Sequence, residues 1–232
     1  MMTIIKEVLM LKDKYDMTME ENILYAKRNI VDSIWKSANL EGIAVTFPET
    51  QAIYDGSNVS HLRIDEIQTI NNLKHAWQYV IYSINTNMNL QFIENVHAFV
   101  GSNIVDNPGH LRTFDVSMGG TNWKPELPSK EKINNLIDSY NNSLSDNITD
   151  NIITFMCNLM KMQIFNDGNK RTSMLVANHQ LIKYGKGILS INNDDRITFG
   201  TKLIEYYEDE NKLENLKAFL FDKCLDGIKK TS

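Results

Sequence analysis

Met162-Gln163-Ile164-Phe165-Asn166-Asp167-Gly168-Asn169-Lys170-Arg171-Thr172-Ser173 (MQIFNDGNKRTS, residues 162–173) sets an acid, a glycine, an amide and two cations between apolar segments. Apolar residues resume at Met174, Leu175, Ala177 and Leu181, so a helix is expected to open just after Gly168. A loop that ends in a helix N-terminus presents unpaired backbone N–H groups to an anion. Lys170 and Arg171 fall in the first turn of that helix, where the macrodipole favours acids. A bound phosphate would resolve this local conflict. Asp167 adds a hard oxygen of the kind Mg²⁺ uses alongside substrate phosphates. Ahead of the loop, where a general base would help most, stands Gln163, whose amide does not titrate near neutral pH.

The rest of the chain has ordinary globular composition. Its 232 residues suit one large domain, with 42% hydrophobic and 23% charged residues. A net charge of −5 gives no overall basic field, so nucleic acid is not an expected partner. Cys157 and Cys224 lie far apart in apolar surroundings, which supports neither a disulfide framework nor a metal site. They are expected to be reduced thiols of a cytoplasmic protein. The opening stretch Met1–Met17 mixes charges into its apolar residues and lacks a small-residue cleavage site, unlike a signal peptide. No apolar run of about 18 residues predicts a membrane span.

Periodicity predicts an all-α protein. Thr18 and Glu21 form a capping-box pattern, and Ile23, Ala26, Ile30, Ile34 and Ala38 continue one apolar face until Gly42. A second helix is expected from Asp65 through Ile84. Further helical patterns cover residues 90–101, 129–143, 147–162, 169–184, 200–208 and 211–225, with an Asn- and Ser-rich loop over 139–151. Between Pro108 and Pro128 the period changes, and Gly119-Gly120 predicts a β-hairpin. The expected architecture is a single multi-helix domain with one small β-hairpin flap.

Residues Phe165 to Arg171 resemble the core motif of the Fic family, His-x-Phe-x-Asp/Glu-Gly-Asn-Gly/Lys-Arg, and Lys170-Arg171-Thr172 is similar to its Doc-type branch. The segment PGHLRTFDVSMGGTNWKPELP (108–128) is similar to the family stretch carrying a flap hairpin, and SANLEGI (37–43) to an upstream inhibitory Ser/Thr-x-x-x-Glu-Gly/Asn motif. The resemblance implies a Fic-like domain over 1–232, with an inhibitory-helix segment at 18–42 and a core at 90–190. It implies transfer of AMP, or in the Doc branch of phosphate, from ATP or another nucleotide to a hydroxyl of a target protein. In this reading Asp167 holds Mg²⁺, Gly168 and Asn169 help form the anion hole, and Lys170 and Arg171 grip phosphates. Phe165 anchors the loop, Glu41 reaches into the nucleotide site, and the target docks on the 113–124 hairpin. No membrane partner is implied, and a homo-oligomer is left open. The alternative is a catalytically silent nucleotide- or partner-binding regulator.

Two positions depart from the family pattern. The family histidine falls on Gln163, and a second arginine usual in adenylylating members falls on Met174. Glu41 would then have to pair with Lys170 or Arg171. Among the histidines, His97 and His179 read as core residues, His61 and His75 as surface residues, and His110 as near enough to the hairpin to approach a target.

Overall fold

The computed structural model describes residues 11–144 and 147–229. The opening stretch through Met10 lies outside the described residues, as do positions 145 and 146 of the Asn- and Ser-rich loop. Ten α-helices are present among the described residues: α1 (Met19–Arg28), α2 (Ile30–Leu40), α3 (Phe47–Tyr54), α4 (Ile64–Tyr82), α5 (Leu90–Val100), α6 (Lys130–Asn142), α7 (Ile148–Met162), α8 (Asn169–Lys183), α9 (Arg196–Glu208) and α10 (Leu213–Phe219). A π-helical turn over Leu220–Cys224 extends the last of them. The all-α expectation holds, and no helix among the described residues is long and apolar enough to cross a membrane.

The centre of the packing is α8. It touches α1, α4, α5 and α7, and nearly every side chain from Asn169 to Ile182 is buried. A helix enclosed on all sides must satisfy its polar groups internally. Asn178 therefore exchanges two hydrogen bonds with the backbone of Leu189, at 2.8 and 2.7 Å. Tyr140 donates from its hydroxyl to Gln180 (2.8 Å), and Gln180 donates to His179 Nδ1 (2.7 Å). The remaining ring nitrogen of His179 thus carries the hydrogen and donates to the Ser83 carbonyl at 2.9 Å.

Three expectations need correction. The helix read as continuous from Thr18 to Leu40 breaks at Asn29. The side chain of Asn29 donates to the Tyr25 carbonyl (2.9 Å), competing with the helical ladder, and the chain restarts as α2. The capping box of Thr18 and Glu21 is present as expected. Second, α3 was not anticipated. Third, the segment around Gly119-Gly120 turns but its flanks do not pair, so no strand forms there. The small antiparallel sheet lies elsewhere, pairing β1 (Ile188–Leu189) with β2 (Leu225–Asp226) in the register Ile188 with Asp226 and Leu189 with Leu225.

Candidate functional site

The loop between α7 and α8 begins with a left-handed residue. Gln163, at φ 45° and ψ 56°, ends α7 and reverses the chain. Gly168, at φ 76°, closes the loop, and a Cβ there would lie 3.1 Å from Val100 Cγ1. Between them Asn169 clamps the loop. Its Oδ1 accepts from the Phe165 N–H and its Nδ2 donates to the Phe165 carbonyl, both at 2.9 Å. The Asn169 side chain thus braces the loop and leaves its own N–H at the helix start. No side chain caps α8. Its first amides are therefore available to an outside anion.

His97 holds this loop from behind. Its ring stacks on Phe165 with centroids 3.7 Å apart and planes within 1°. The Gly109 N–H donates to His97 Nδ1 at 2.8 Å, so Nδ1 is the acceptor and Nε2–H donates to the Asp167 carbonyl at 2.9 Å. Burial pushes the imidazole down to about 4, helped by the nearby charge of Arg171, although the bond to Asp167 opposes the shift. Burial likewise lowers His179 to about 4. In the unfolded chain both would titrate at about 6.5. The unfolded state binds more protons between these values, so stability is full above pH 6.5 and is lost as pH falls toward 4. Thermal unfolding should show this loss. His97→Gln, which retains a donor and an acceptor, should remove its share of the slope, and a slope identical to wild type would contradict the assignment.

Charge at the loop is arranged around Glu41. Its carboxylate, at the C-terminus of α2, lies 3.5 Å from Lys170 Nζ and 3.7 Å from Arg171 Nε. The pairing expected between Glu41 and the two helix-start cations is therefore present. It is ionic contact without hydrogen bonding: Glu41 Oε1 and Arg171 Nε are both buried and lack hydrogen-bond partners. Asp167 is 70% exposed at its side chain, accepts from the Gly168 N–H (2.6 Å) and pairs with Arg171 at 3.2 Å. Met174 is buried in α8, where it can pair with nothing.

A cavity of about 220 Å³ has Glu41, residues 116–119, Gln163 and residues 166–170 in its walls, with Arg171 outside that lining. A second cavity of about 430 Å³ lies between α2, the start of α4 and residues 103–104, and Glu41 and Asp167 line both. A larger cavity of about 690 Å³ lies beyond Tyr207, between residues 123–129, α6, α7 and α9, and includes none of the loop. The chemistry points to the smaller one.

The donor set fits a nucleotide's phosphates: uncapped helix amides, the Lys170 ammonium, and the Arg171 guanidinium, whose buried Nε lacks a hydrogen-bond partner. Among the described residues no three acidic, histidine or cysteine side chains cluster as a metal site. Asp167 alone fits Mg²⁺ only in the manner in which substrate phosphates and water complete the coordination.

Gln163 is fixed by contacts that its sequence neighbours do not reveal. Nε2 donates to the Met160 carbonyl at 2.7 Å and to the Tyr207 hydroxyl at 3.3 Å. A carbonyl only accepts, so the amide cannot be turned the other way. Its backbone carbonyl accepts from Arg112 Nε, and the same guanidinium donates to the carbonyls of Phe114 and Glu126. Arg112 thus ties the 111–127 segment to the loop. Trp123 stacks on Tyr207 with centroids 4.9 Å apart. Arg112 and Tyr207 were not singled out from the sequence, and His97 was read only as a core residue. None carries a local signal, because each acts across a long stretch of chain. His110, His61 and His75 are exposed and none lines the cavity.

Residues 87–181 match the family model described as the Fic/DOC family. The fold is similar to that of a Fic domain containing signaling protein from Bacteroides thetaiotaomicron, at 15% identity and a TM-score of 0.67, covering 87% of this chain and 89% of that one. It is also similar to Fic-1 from C. elegans, at 18% identity and a TM-score of 0.65, covering 85% of this chain and 62% of that one. A Fic family protein from Desulfovibrio desulfuricans gives 18% identity and a TM-score of 0.62, covering 84% and 63%. No curated protein matches the chain. At these identities the likeness concerns the fold.

Proposed function

We propose that this chain, which carries a Fic/DOC family domain at residues 87–181, transfers AMP or phosphate from a nucleotide to a hydroxyl of a protein, and that Glu41 restrains it. The observation that carries this reading is the position of Glu41, which stands as the anion between Lys170 and Arg171 at an uncapped helix start. A nucleotide phosphate would take that place and accept from the same groups. Lys170, Arg171 and the first amides of α8 would hold the phosphates, with Asp167 as the ligand to Mg²⁺. Bound Mg²⁺ would neutralise charge on the phosphates. The remaining work is positioning, which dominates phosphoryl transfer through a loose transition state. Gln163 would orient the target hydroxyl, and the 113–124 segment would receive the target chain.

Incubating the protein with ATP labelled at the α- or the γ-phosphate, in the presence of Mg²⁺ and cell lysate, separates the two transfers. Label retained from the α-position alone means AMP transfer, and label from the γ-position alone means phosphate transfer. One observation favours a second reading, a silent nucleotide-binding regulator: Gln163 cannot serve as a base. Binding of ATP with no transfer of either label would select it.

Glu41→Gly tests the restraint. The carboxylate lines both cavities, and its removal takes the acidic partner from Lys170 and leaves Arg171 paired with Asp167 alone. ATP affinity, followed by calorimetry with Mg²⁺, should rise roughly 5- to 150-fold, the usual span of a coupling between two sites. Unchanged or weaker binding would make Glu41 a helix-end residue only.

A further inference from the structure

We propose that the hydroxyl this site is built to modify is a tyrosine phenol, not the aliphatic hydroxyl of serine or threonine; the proposal rests on the transferase reading above. Glu41 reaches the small cavity from the end of α2, Asp167 from the loop and Lys170 from α8. Arg171 of α8 pairs with both carboxylates from one side. Behind Gln163 stand Tyr207 of α9 and Arg112 of the 111–127 segment.

None of these groups is suited to remove a proton. Both oxygens of Asp167 are engaged, by the Gly168 N–H and by Arg171. Glu41 occupies the phosphate position and must leave it for a nucleotide to bind. Tyr207 is buried and already hydrogen-bonded to Gln163, and burial raises its pKa. His97 has both ring nitrogens occupied. Gln163 directs its Nε2 to Met160 and Tyr207, and among the described residues no donor reaches its Oε1. That oxygen can accept a hydrogen bond from a target hydroxyl and so orient it, but it cannot take the proton away.

The nucleophile must then supply its own acidity. A phenol ionises at about 10. An aliphatic hydroxyl is closer to water, at about 15.7. At neutral pH the phenolate is therefore the more abundant anion by several orders of magnitude. Lys170, Arg171 and the positive end of α8 favour it further. In the step itself the phenolic proton leaves to solvent, and the phenolate oxygen forms the new bond to phosphorus of a nucleoside triphosphate. The phosphorus–oxygen bond to the departing phosphate group breaks, and that group keeps the electron pair.

The test uses the full chain with labelled ATP and Mg²⁺ on cell lysate. Labelled proteins are digested and the modified side chains identified by mass spectrometry at pH 7, 8 and 9. Tyrosine should dominate the labelled sites. The transfer rate should rise roughly tenfold per pH unit, as the phenolate fraction does below a pKa of about 10. In Gln163→His the slope should flatten, and serine and threonine sites should gain relative to tyrosine. Label mainly on serine or threonine, or a rate independent of pH in the wild type, would overturn the inference while leaving a transferase. ATP binding without label on any residue, in the wild type and in Gln163→His, would overturn both readings.

Discussion

Gln163→His should raise transfer of label into protein by roughly 10²–10⁴, the usual contribution of a positioned general base. The substitution is sterically reasonable. Position 163 is left-handed, at φ 45°, a conformation histidine tolerates better than most residues. The side chain leaves the end of α7 beside the Met160 carbonyl and the Tyr207 hydroxyl. One ring nitrogen can donate to that carbonyl, which leaves the other as an acceptor that titrates. In the proposed reaction the uncapped helix amides, Lys170 and Arg171 would hold the phosphates and Asp167 the metal. The paired variant Asp167→Ala should abolish transfer, because Lys170 and Arg171 replace only part of the charge neutralisation supplied through the metal. Both are read as label incorporated per unit time at saturating ATP. A folded, ATP-binding Gln163→His protein with no gain would place the defect at Met174 or in target recognition.

How far the sequence could be read depended on the range of each interaction. The loop and its helix were legible, because a glycine between an acid and an amide, followed by cations and then apolar residues, is a local pattern. The Glu41 pairing was legible for a related reason: two cations at a helix start need an anion whatever the rest of the fold does. The missed helix α3 did carry a local signal. Thr46 and Glu49 form a capping box around Phe47 and Pro48, the same device that revealed α1. The break at Asn29 hid inside an unbroken apolar stripe, since periodicity does not register a side chain that bonds to its own helix. The hairpin misreading is more instructive. Alternation and a glycine pair predicted two strands, but the carbonyls of Phe114 and Glu126 accept from Arg112. The role of Arg112 depends on contacts 51 positions away in the chain, and no local pattern encodes that.

Arg112→Leu is expected to be the most damaging single change outside the loop between α7 and α8. Arg112 is 3% exposed, and its guanidinium hydrogen bonds go to three backbone carbonyls, of Gln163, Phe114 and Glu126. Removing it leaves three acceptors short of a donor, at about 1–3 kcal/mol each where water cannot reach them. Partial rehydration of the Phe114 and Glu126 carbonyls reduces the sum, so a loss of several kcal/mol is expected. For a chain of this size that corresponds to a fall in Tm of roughly 10 °C or more. The functional loss should exceed the loss of stability. Gln163 loses the group that holds its strained backbone, and the 111–127 segment loses its tie to the loop. Transfer measured well below the new Tm should therefore remain depressed, while ATP binding at Lys170 and Arg171 persists, because neither residue touches Arg112. Arg112→Lys separates charge from geometry: an ammonium brings positive charge but lacks the planar fork that reaches three carbonyls at once. It should recover little of either property. Wild-type Tm and transfer in Arg112→Leu would mean that the 111–127 segment is held by the stacking of Trp123 on Tyr207 and not by this guanidinium.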